Sequence, residues 1–333
     1  MIDQIRLEWG KNGRICALEY CSSLLSKCNS EQLMVDLTAW QVVLLLELWR
    51  RSEARTLIDS IANYSNNPNV IAVKEYYRFL EGELKMDYLE KQNFSDIYNW
   101  ILFFVKTFCY AHLLQREQLI HLMALWSAHF PDDPLVLRRA SELITAVGDK
   151  PIADTYRSRL IKQKPNNPHA FLVSAQIGIE TGCFETAMNE LREGVALFSS
   201  DDELWTAGAI CLLRQDLLDE AAQWAIRSIQ LNSHNAVGYL ILQTVAQRYN
   251  HRQLVWIIQQ IRHALLKEIP PLRRTFMALS ASNDNKSRNN VVSPLMGEII
   301  ARAYQKLRDH CFSLSSDSLS AGVCDDKNYL LYG

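Results

Sequence analysis

The sequence has 333 residues, with 35 Lys and Arg against 37 Asp and Glu and a net charge of −2. This balance excludes a strong global attraction to nucleic acid or to an anionic membrane, so a nucleic-acid role would need a local basic face. Only 12 glycines and 9 prolines are present, which is typical of a mostly α-helical chain with short connections.

The N-terminal stretch carries charges at Asp3, Arg6 and Glu8, so it lacks the uninterrupted apolar core of a secretory signal. The most apolar stretches, at 42–46 and 100–105, are far shorter than the roughly 20 residues that cross a bilayer. Eight cysteines without a CxxC pair fit reduced thiols better than a disulfide framework. We therefore expect a cytoplasmic protein without membrane insertion.

Residues 1–133 are predicted to form an N-terminal helical region of degenerate hairpins. The pattern predicts helices at about 14–27, 69–89, 95–114 and 117–129, and a hairpin from Trp40 to residue 68 with a break at 50–52. Gly- and Pro-poor apolar runs support these helices, but a repeat is hard to recognise here. The path of the first hundred residues is left open.

From residue 134 onward the chain repeats itself every 34 residues without a gap. The four segments start at Pro134, Pro168, Asp202 and Ala236. Their fourth positions hold Leu137, Phe171, Trp205 and Tyr239, and their twentieth positions hold Ala153, Ala187, Ala221 and Val255. Turn-compatible pairs such as Gly148-Asp149 stand between, so each unit is predicted to form two helices of about a dozen residues.

These units resemble the tetratricopeptide repeat family, whose pattern has an early aromatic residue, Gly or Ala at the eighth position and Ala at the twentieth. The third unit fits with Trp205, Ala209 and Ala221, whereas the fourth departs from the pattern with Gln243 at the eighth position. The resemblance implies an all-α, right-handed superhelical solenoid of helix-turn-helix repeats. Its four units would cover 134–267, with the last one divergent.

Small side chains explain why this pattern suits two packed helices. Ala175 opposite Ala187, and Ala209 opposite Ala221, would let the two helices of a unit approach to roughly 8–10 Å between axes. A large side chain at the fourth position, such as Trp205, is then expected to fill the wedge toward the neighbouring hairpin.

The pattern changes at the C-terminus. A double proline and a polar run predict a linker at 268–293, and the last residues, 313–333, are predicted to be a flexible tail. Between them, 294–312 is predicted to be an amphipathic helix. Its apolar stripe consists of Met296, Ile300, Ala303 and Leu307. Such a helix would either cap the open end of the solenoid or bind a partner.

The sequence offers no candidate catalytic, cofactor or metal site. Cys16, Cys21 and Cys28 step along one helical face, which favours packing as small hydrophobes over zinc binding. His121 and His129 are eight residues apart and lie in no HExxH motif. Glycine loops for phosphates and the G-x-S-x-G nucleophile motif are missing as well. We therefore expect a protein that is not an enzyme and that binds no cofactor.

The resemblance implies a partner-binding groove lined by the first helix of each unit at positions two, five, nine and twelve. On this chain the predicted groove residues, with two neighbouring arginines, are Arg138, Glu142, His169, Leu172, Gln176, Ile179, Glu203, Thr206, Ile210, Leu213, Arg214, Leu240, Thr244 and Arg248. The row has an apolar centre and a charged rim, which suits an amphipathic helix or an extended peptide. Alternatively, some of these residues pack against the superhelix itself.

The function expected from these features is protein–protein interaction, as an adaptor, an assembly factor or a secretion-type chaperone. One alternative is an accessory or regulatory subunit that docks onto a catalytic partner such as a protein-modifying transferase. Another is a nucleic-acid-associated regulator, which the near-neutral charge disfavours and whose affinity would fall steeply with added salt. The sequence identifies no particular partner.

Overall fold

Every regular element that the structure describes is an α-helix. The computed structural model describes residues 2–83, 99–113 and 115–268, and it contains no strand within these ranges. The helices are α1 Ile2–Leu25, α2 Glu31–Glu47, α3 Arg51–Ser60, α4 Pro68–Leu80, α5 Trp100–His112, α6 Arg116–His129, α7 Pro134–Ala146, α8 Lys150–Ile161, α9 Pro168–Glu180, α10 Phe184–Leu197, α11 Asp202–Arg214, α12 Leu218–Leu231, α13 Ala236–Arg248 and α14 Arg252–Glu268. Most helices pack on their neighbours in the chain, as in a solenoid.

The first helix of each 34-residue unit begins at a capping residue. The caps of α7, α9, α11 and α13 are Asp133, Asn167, Asp201 and Asn235. Each side-chain oxygen accepts a hydrogen bond from a backbone N–H of the first turn, which satisfies donors that have no partner inside the helix. Asn99, which stands 34 residues before Asp133, caps α5 in the same way.

The turn inside each hairpin contains one residue with a left-handed backbone. The φ angle is 88° at Gly148, 77° at Gly182, 63° at Asp216 and 56° at Asn250, and these four positions also recur every 34 residues. Glycine adopts this conformation without a steric clash, and Asp and Asn tolerate it better than most residues. The reversal ends the first helix of the unit and starts the second.

Small residues lie where the two helices of a unit cross. Ala175, Ala187, Ala209 and Ala221 are all fully buried. A Cβ atom added at Gly178 would lie 3.0 Å from the Cβ atom of Ala187, so α9 and α10 are in direct contact there. The alanines therefore serve close helix packing, as the sequence pattern suggests.

Three of the four large side chains at the fourth position are buried, but Trp205 is only half-buried. Its indole N–H donates to the carbonyl oxygen of Ser199 (3.0 Å), and its ring lies 4.7 Å from that of Trp224. Trp224 covers Gly208, where an added Cβ atom would lie 2.1 Å from the Trp224 ring. Trp205 is therefore less buried than its counterparts in the other units, and that it fills the wedge stays a prediction; Trp224 packs on Gly208 of α11.

Two helices of the N-terminal half differ from the prediction. α1 begins at Ile2, not near residue 14, and it continues past Gly13, where a φ of 86° interrupts the helical backbone. α4 ends at Leu80, well before residue 89, because Gly82 with a φ of 95° reverses the chain. The N-terminal half is therefore helical as expected, but with different helix ends.

The predicted C-terminal elements lie outside the described residues, which end at Glu268. These elements are the linker at 268–293 beyond its first residue, the helix at 294–312 and the tail at 313–333. The division of the chain at residue 133 also stays a prediction, because α6 packs directly on α7 across it.

The C-terminal end of the described residues contacts the start of α3. Arg51 Nη1 donates to the carbonyl oxygen of Lys267 (3.0 Å). The backbone N–H and the hydroxyl of Ser52 donate to the Glu268 carboxylate (2.8 and 2.6 Å). Negative charge is favourable at the N-terminal end of α3, where the helix dipole is positive. The last described residues therefore lie beside the turn between α2 and α3.

Candidate partner-binding site

A pocket of about 450 Å³ opens beside the first helices of the 34-residue units. Most of its wall comes from α7, α9, α11 and α13, while α1 and the turn after α2 contribute one residue each. The lining residues are Arg14, Trp49, Arg138, Glu142, Leu172, Val173, Gln176, Ile179, Glu180, Glu203, Thr206, Ala207, Ile210, Asn235 and Val237. This volume lies in the range of known ligand sites.

Eight residues of the predicted groove line this pocket. They are Arg138, Glu142, Leu172, Gln176, Ile179, Glu203, Thr206 and Ile210. The other six do not line it: His169, Leu213, Arg214, Leu240, Thr244 and Arg248. Among these, His169 is fully buried, Arg248 pairs with Asp216, and the Thr244 hydroxyl donates within its own helix (2.9 Å). The structure thus brings together groove residues of the first three units.

The floor of the pocket is apolar. Leu172, Ile179, Ile210 and Val237 line it and are half-buried. Leu172 and Ile179 are seven residues apart on α9, so two helical turns place them on one face. Their remaining exposed surface faces the pocket, where a partner side chain can cover it.

Arg138 organises the charged wall beside this floor. Its Nη1 and Nη2 atoms donate to the two carboxylate oxygens of Glu203 (2.6 and 3.0 Å), and its Nε donates to Glu142 (2.7 Å). The Nη1 atom also donates to Nδ1 of His169 (2.8 Å). A bidentate pair of this type has a fixed geometry, so the wall is rigid before any partner binds.

Arg14 of α1 reaches this wall from a distant part of the sequence. Its Nη2 atom donates to Asp202 (2.9 Å), its Nη1 atom donates to the carbonyl oxygen of Glu47 (2.8 Å), and the same Nη1 lies 3.5 Å from Glu203. One side chain thereby links α1, the last residue of α2 and the beginning of α11. The pocket is therefore bounded by the N-terminal helix as well as by the repeats.

α1 lies across the N-terminal ends of the first helices. Arg6 forms an ion pair with the capping carboxylate of α7. A Cβ atom added at Gly10 would lie 2.8 Å from the ring of Pro134, and one added at Gly13 would lie 2.8 Å from Oδ2 of Asp201. Glycine at both positions lets the helix approach this closely.

The wall keeps fixed charges at neutral pH. Burial alone would raise the pKa of Glu203, but the positive charges of Arg138 and Arg14 outweigh it and hold that pKa far below its usual range. Burial, together with the charge of Arg138, lowers the pKa of His169 to about 3. His169 is therefore neutral and accepts the hydrogen bond that Arg138 can only donate.

Asp201 differs from Glu203 in the direction of its pKa shift. Burial, together with the negative charges of Glu203 and Asp202, raises the pKa of Asp201 to about 7. Its Oδ1 atom accepts from the α11 backbone, whereas its buried Oδ2 atom has no hydrogen-bond partner. Asp201 is 3% exposed and does not line the pocket, so we assign it to the packing of α1.

Comparison of the sequence with protein-family models gives no match, and comparison with curated proteins gives none either. The structure is similar to the crystal structure of the APC/C hetero-tetramer Cut9–Hcn1, with a TM-score of 0.55, 12% sequence identity and coverage of 91% of this chain. This chain spans 54% of the matched chain, about half its length.

Two other structures are less similar. The human IFIT1 dimer with m7Gppp-AAAA has a TM-score of 0.48 and 13% identity, over 88% of this chain and 72% of that chain. MamA from Desulfovibrio magneticus RS-1 has a TM-score of 0.36 and 15% identity, over 55% of this chain and 98% of that chain.

Four observations agree on the fold of this chain: the similarity to Cut9–Hcn1, the 34-residue helical hairpins, their capping residues and their left-handed turns. The chain has the tetratricopeptide repeat fold. In this fold, helical hairpins stack into a superhelical solenoid. The pocket lies along the first helices of its 34-residue units.

Seven residues that line the pocket are not among the predicted groove residues given above: Arg14, Trp49, Val173, Glu180, Ala207, Asn235 and Val237. Asn235 carries a signal, because Asp or Asn recurs 34 residues apart just before each first helix. Arg14 and Trp49 carry none, since their approach to the repeats depends on the path of the superhelix. The solenoid fold alone does not specify that path.

Within the described ranges, no group of three His, Cys, Asp or Glu residues could hold a metal ion. Cys21 is buried, and its thiol donates to the carbonyl oxygen of Leu37 (3.3 Å). In the same part of the chain, no helix combines the length and the apolarity needed to span a membrane.

Proposed function

We propose that this protein is a non-catalytic scaffold that binds a segment of a partner protein in the pocket lined by α9, α11 and α13. The observation that supports this most directly is the apolar floor, where Leu172, Ile179 and Ile210 are only half-buried in the single chain. Covering such surface is favourable by about 25 cal/mol per Å². Adaptors, assembly factors and secretion-type chaperones all work by binding of this kind.

The partner segment is an amphipathic helix or an extended peptide with apolar anchors. The floor accepts the anchors, while the rigid pairs around Arg138 and Arg14 select the orientation of polar groups at the rim. Paired charges of this type contribute more to specificity than to affinity. Most of the binding free energy is therefore expected from the floor.

The test begins with peptides selected from a random display library on the purified full chain. Their Kd is measured by calorimetry for the wild type, for Leu172→Glu/Ile210→Glu and for Leu197→Glu. Leu197 lies on α10, is 54% exposed and does not line the pocket, so it is a matched control. We expect the pocket variant to weaken binding at least tenfold, or about 1.4 kcal/mol, and the control to leave it unchanged.

A second pocket variant separates binding from folding. Leu172 and Ile210 also pack against the core, whereas Gln176 is exposed and lines the pocket. Gln176→Trp should fill the mouth and weaken binding without lowering the melting temperature. Unchanged Kd values in both pocket variants would mean that partners bind elsewhere, and the proposal would be wrong.

We also predict that the protein does not bind nucleic acid. The measurement is titration with a single-stranded RNA and a duplex DNA at low and at high salt. Binding through phosphates would show itself by an affinity that falls steeply as salt increases. Binding of either probe with such a dependence would contradict the prediction.

A further inference from the structure

The mouth of the pocket carries exposed carboxylates. The side chain of Glu142 is 42% exposed and that of its partner Arg138 is 21% exposed; for Glu180 and its partner Arg157 the values are 40% and 5%. Among the lining residues there are three glutamates and two arginines. A segment that enters the pocket therefore meets negative charge first, which favours basic side chains beside its apolar anchors.

The remainder of the chain starts close to this mouth. α14 ends at Glu268, whose carboxylate binds Ser52, and the carbonyl oxygen of Lys267 binds Arg51. Two residues before Arg51, Trp49 lines the pocket. The described part of the chain thus ends beside the pocket wall, and 65 further residues follow in the sequence.

One segment of that remainder has the chemistry that the pocket favours. Residues 294–312 contain three basic and two acidic side chains. A helix over this segment would place Met296, Ile300, Ala303 and Leu307 on one stripe. On the same helical pattern, Lys306 and Arg308 would flank the stripe on either side, at about 100° per residue.

From these features we infer that residues 294–312 dock into the pocket of their own chain, with the apolar stripe on the floor and the basic residues at Glu142 and Glu180. This inference rests on the pocket being the binding site of the proposed function, and it assigns that site an internal competitor. A partner protein then binds by displacing the segment. The pocket is regulated by the chain that contains it.

The connecting residues are long enough for this docking. The connecting stretch at 269–293 has 25 residues, and a flexible chain of that length would have a root-mean-square end-to-end distance of roughly 25–30 Å. A tether of this kind gives an effective concentration on the order of millimolar. If the segment binds the pocket with a Kd of about 100 μM as a free peptide, the ratio of occupied to empty pockets in the intact chain would then be about ten.

The experiment uses the full chain and two variants with the same charge change. Ile300→Glu/Leu307→Glu places both charges on the stripe, and Ala301→Glu/Gln305→Glu places them on the opposite side. We expect the backbone amides of α9 and α11 to exchange hydrogen about tenfold faster in the first variant than in the wild type. The second variant should exchange at the wild-type rate.

A zero-length carbodiimide cross-link gives an independent measurement. Lys306 should form an amide with Glu142 or Glu180, and a mixture of isotope-labelled and unlabelled chains should show this link only within one chain. Links between differently labelled chains would assign the segment to a second copy and overturn the inference. Equal exchange in both variants, or protection confined to α14, would overturn it as well.

This outcome is distinguishable from failure of the proposed function. If the selected peptides depend on the pocket but bind both segment variants with equal Kd, the scaffold function stands and the internal competitor does not. If the stripe variant deprotects the pocket but no external peptide binds, the pocket serves the chain alone. If both are correct, the stripe variant should bind external peptides about tenfold more tightly than the wild type.

Discussion

Asp201 caps α11 with one carboxylate oxygen, while the other is buried without a partner against Gly13. Its pKa is raised to about 7, whereas an aspartate in an unfolded chain has a pKa near 3.9. Between these values the folded state holds a proton that the unfolded state has lost. The Asp201 contribution to the free energy of unfolding therefore falls as the pH rises from about 4 to about 7.

This sign gives a prediction for Asp201→Asn. Asparagine still caps the helix but never carries the buried charge, so the variant should melt at a higher temperature than the wild type at pH 8. The gain should be on the order of 1 kcal/mol at pH 8 and should vanish below about pH 4, where the carboxyl is protonated in the folded and the unfolded state alike. Thermal melts at both pH values measure it.

Asp149→Asn is the control with the opposite sign. Asp149 caps α8, and its hydrogen bond from Arg116 lowers its pKa. This substitution should lower the melting temperature at pH 8 and have little effect at low pH. His169 also contributes to the pH dependence, because it is protonated below about pH 6.5 in the unfolded state but stays neutral in the folded state. This contribution is the same in the wild type and in both variants, so it cancels in the comparison. A lower melting temperature for Asp201→Asn at pH 8 would contradict the prediction, because it would mean that the Asp201 carboxylate is stabilised in its charged form.

The sequence reveals the repeated capping and turn residues, but it does not reveal the pKa of Asp201 or the burial of His169. Asp or Asn before each first helix, and Gly, Asp or Asn at each turn, recur at 34 residues and follow from local backbone requirements. The raised pKa of Asp201 depends on α1, which is remote in sequence. Likewise, His169 has the spacing of a groove residue, and only the structure shows it buried beside Arg138.

At the level of elements, the docking of α1 depends on Gly13. Its φ of 86° belongs to the region that L side chains avoid, and a Cβ atom there would meet Asp201. Gly13→Ala should therefore carry both a backbone cost of about 1 kcal/mol and the cost of a clash. We expect a loss of roughly 2–4 kcal/mol in the free energy of unfolding, measured in urea.

Gly148→Ala isolates the backbone cost. Gly148 has a φ of 88°, nearly that of Gly13, but no atom lies within 4 Å of its added Cβ. The difference between the two variants therefore measures the contact between α1 and α11. Equal losses would mean that α1 does not press against the cap of α11.

The repeat helices could be predicted because their pattern is local and periodic, whereas α1 and α4 could not be delimited. Both of these helices end or bend at a glycine with a left-handed backbone, Gly13 or Gly82. A lone glycine is equally compatible with a helix interior or with its end. Trp205 shows the same limit, because the position of Trp224 decides which of the two indoles packs against α11.

For the whole molecule, the 34-residue period predicts the solenoid but not which distant parts of it meet. Arg14 and Asp202 are 188 positions apart in the chain, and Ser52 and Glu268 are 216 apart. These contacts follow from the accumulated rotation of all the hairpins. The contact of Arg14 brings α1 to the pocket, which is one reason why the predicted groove and the observed pocket coincide only in part.

The docking of α1 at the pocket depends most on Arg14, because this side chain connects α1 to the end of α2 and to the beginning of α11. Arg14→Met keeps much of the apolar stem but leaves the Asp202 carboxylate without its guanidinium partner and leaves Glu203 with Arg138 alone. Removing one partner of a buried ion pair costs about 3–5 kcal/mol, and we expect a loss of this size in urea unfolding. Arg14→Lys keeps the charge but not the forked geometry, so its loss should be intermediate and should show that the fold is retained.

Arg50→Met is the matched control, since Arg50 forms an ion pair with Glu53 in which both side chains are substantially exposed. Exposed pairs contribute about 0–1 kcal/mol, so this variant should unfold nearly as the wild type does. Limited proteolysis shows which part of the structure is affected. If α1 of Arg14→Met is cleaved before the repeats are cut, the N-terminal helix detaches first. A loss no larger than that of the control would contradict the role of Arg14 in closing the pocket.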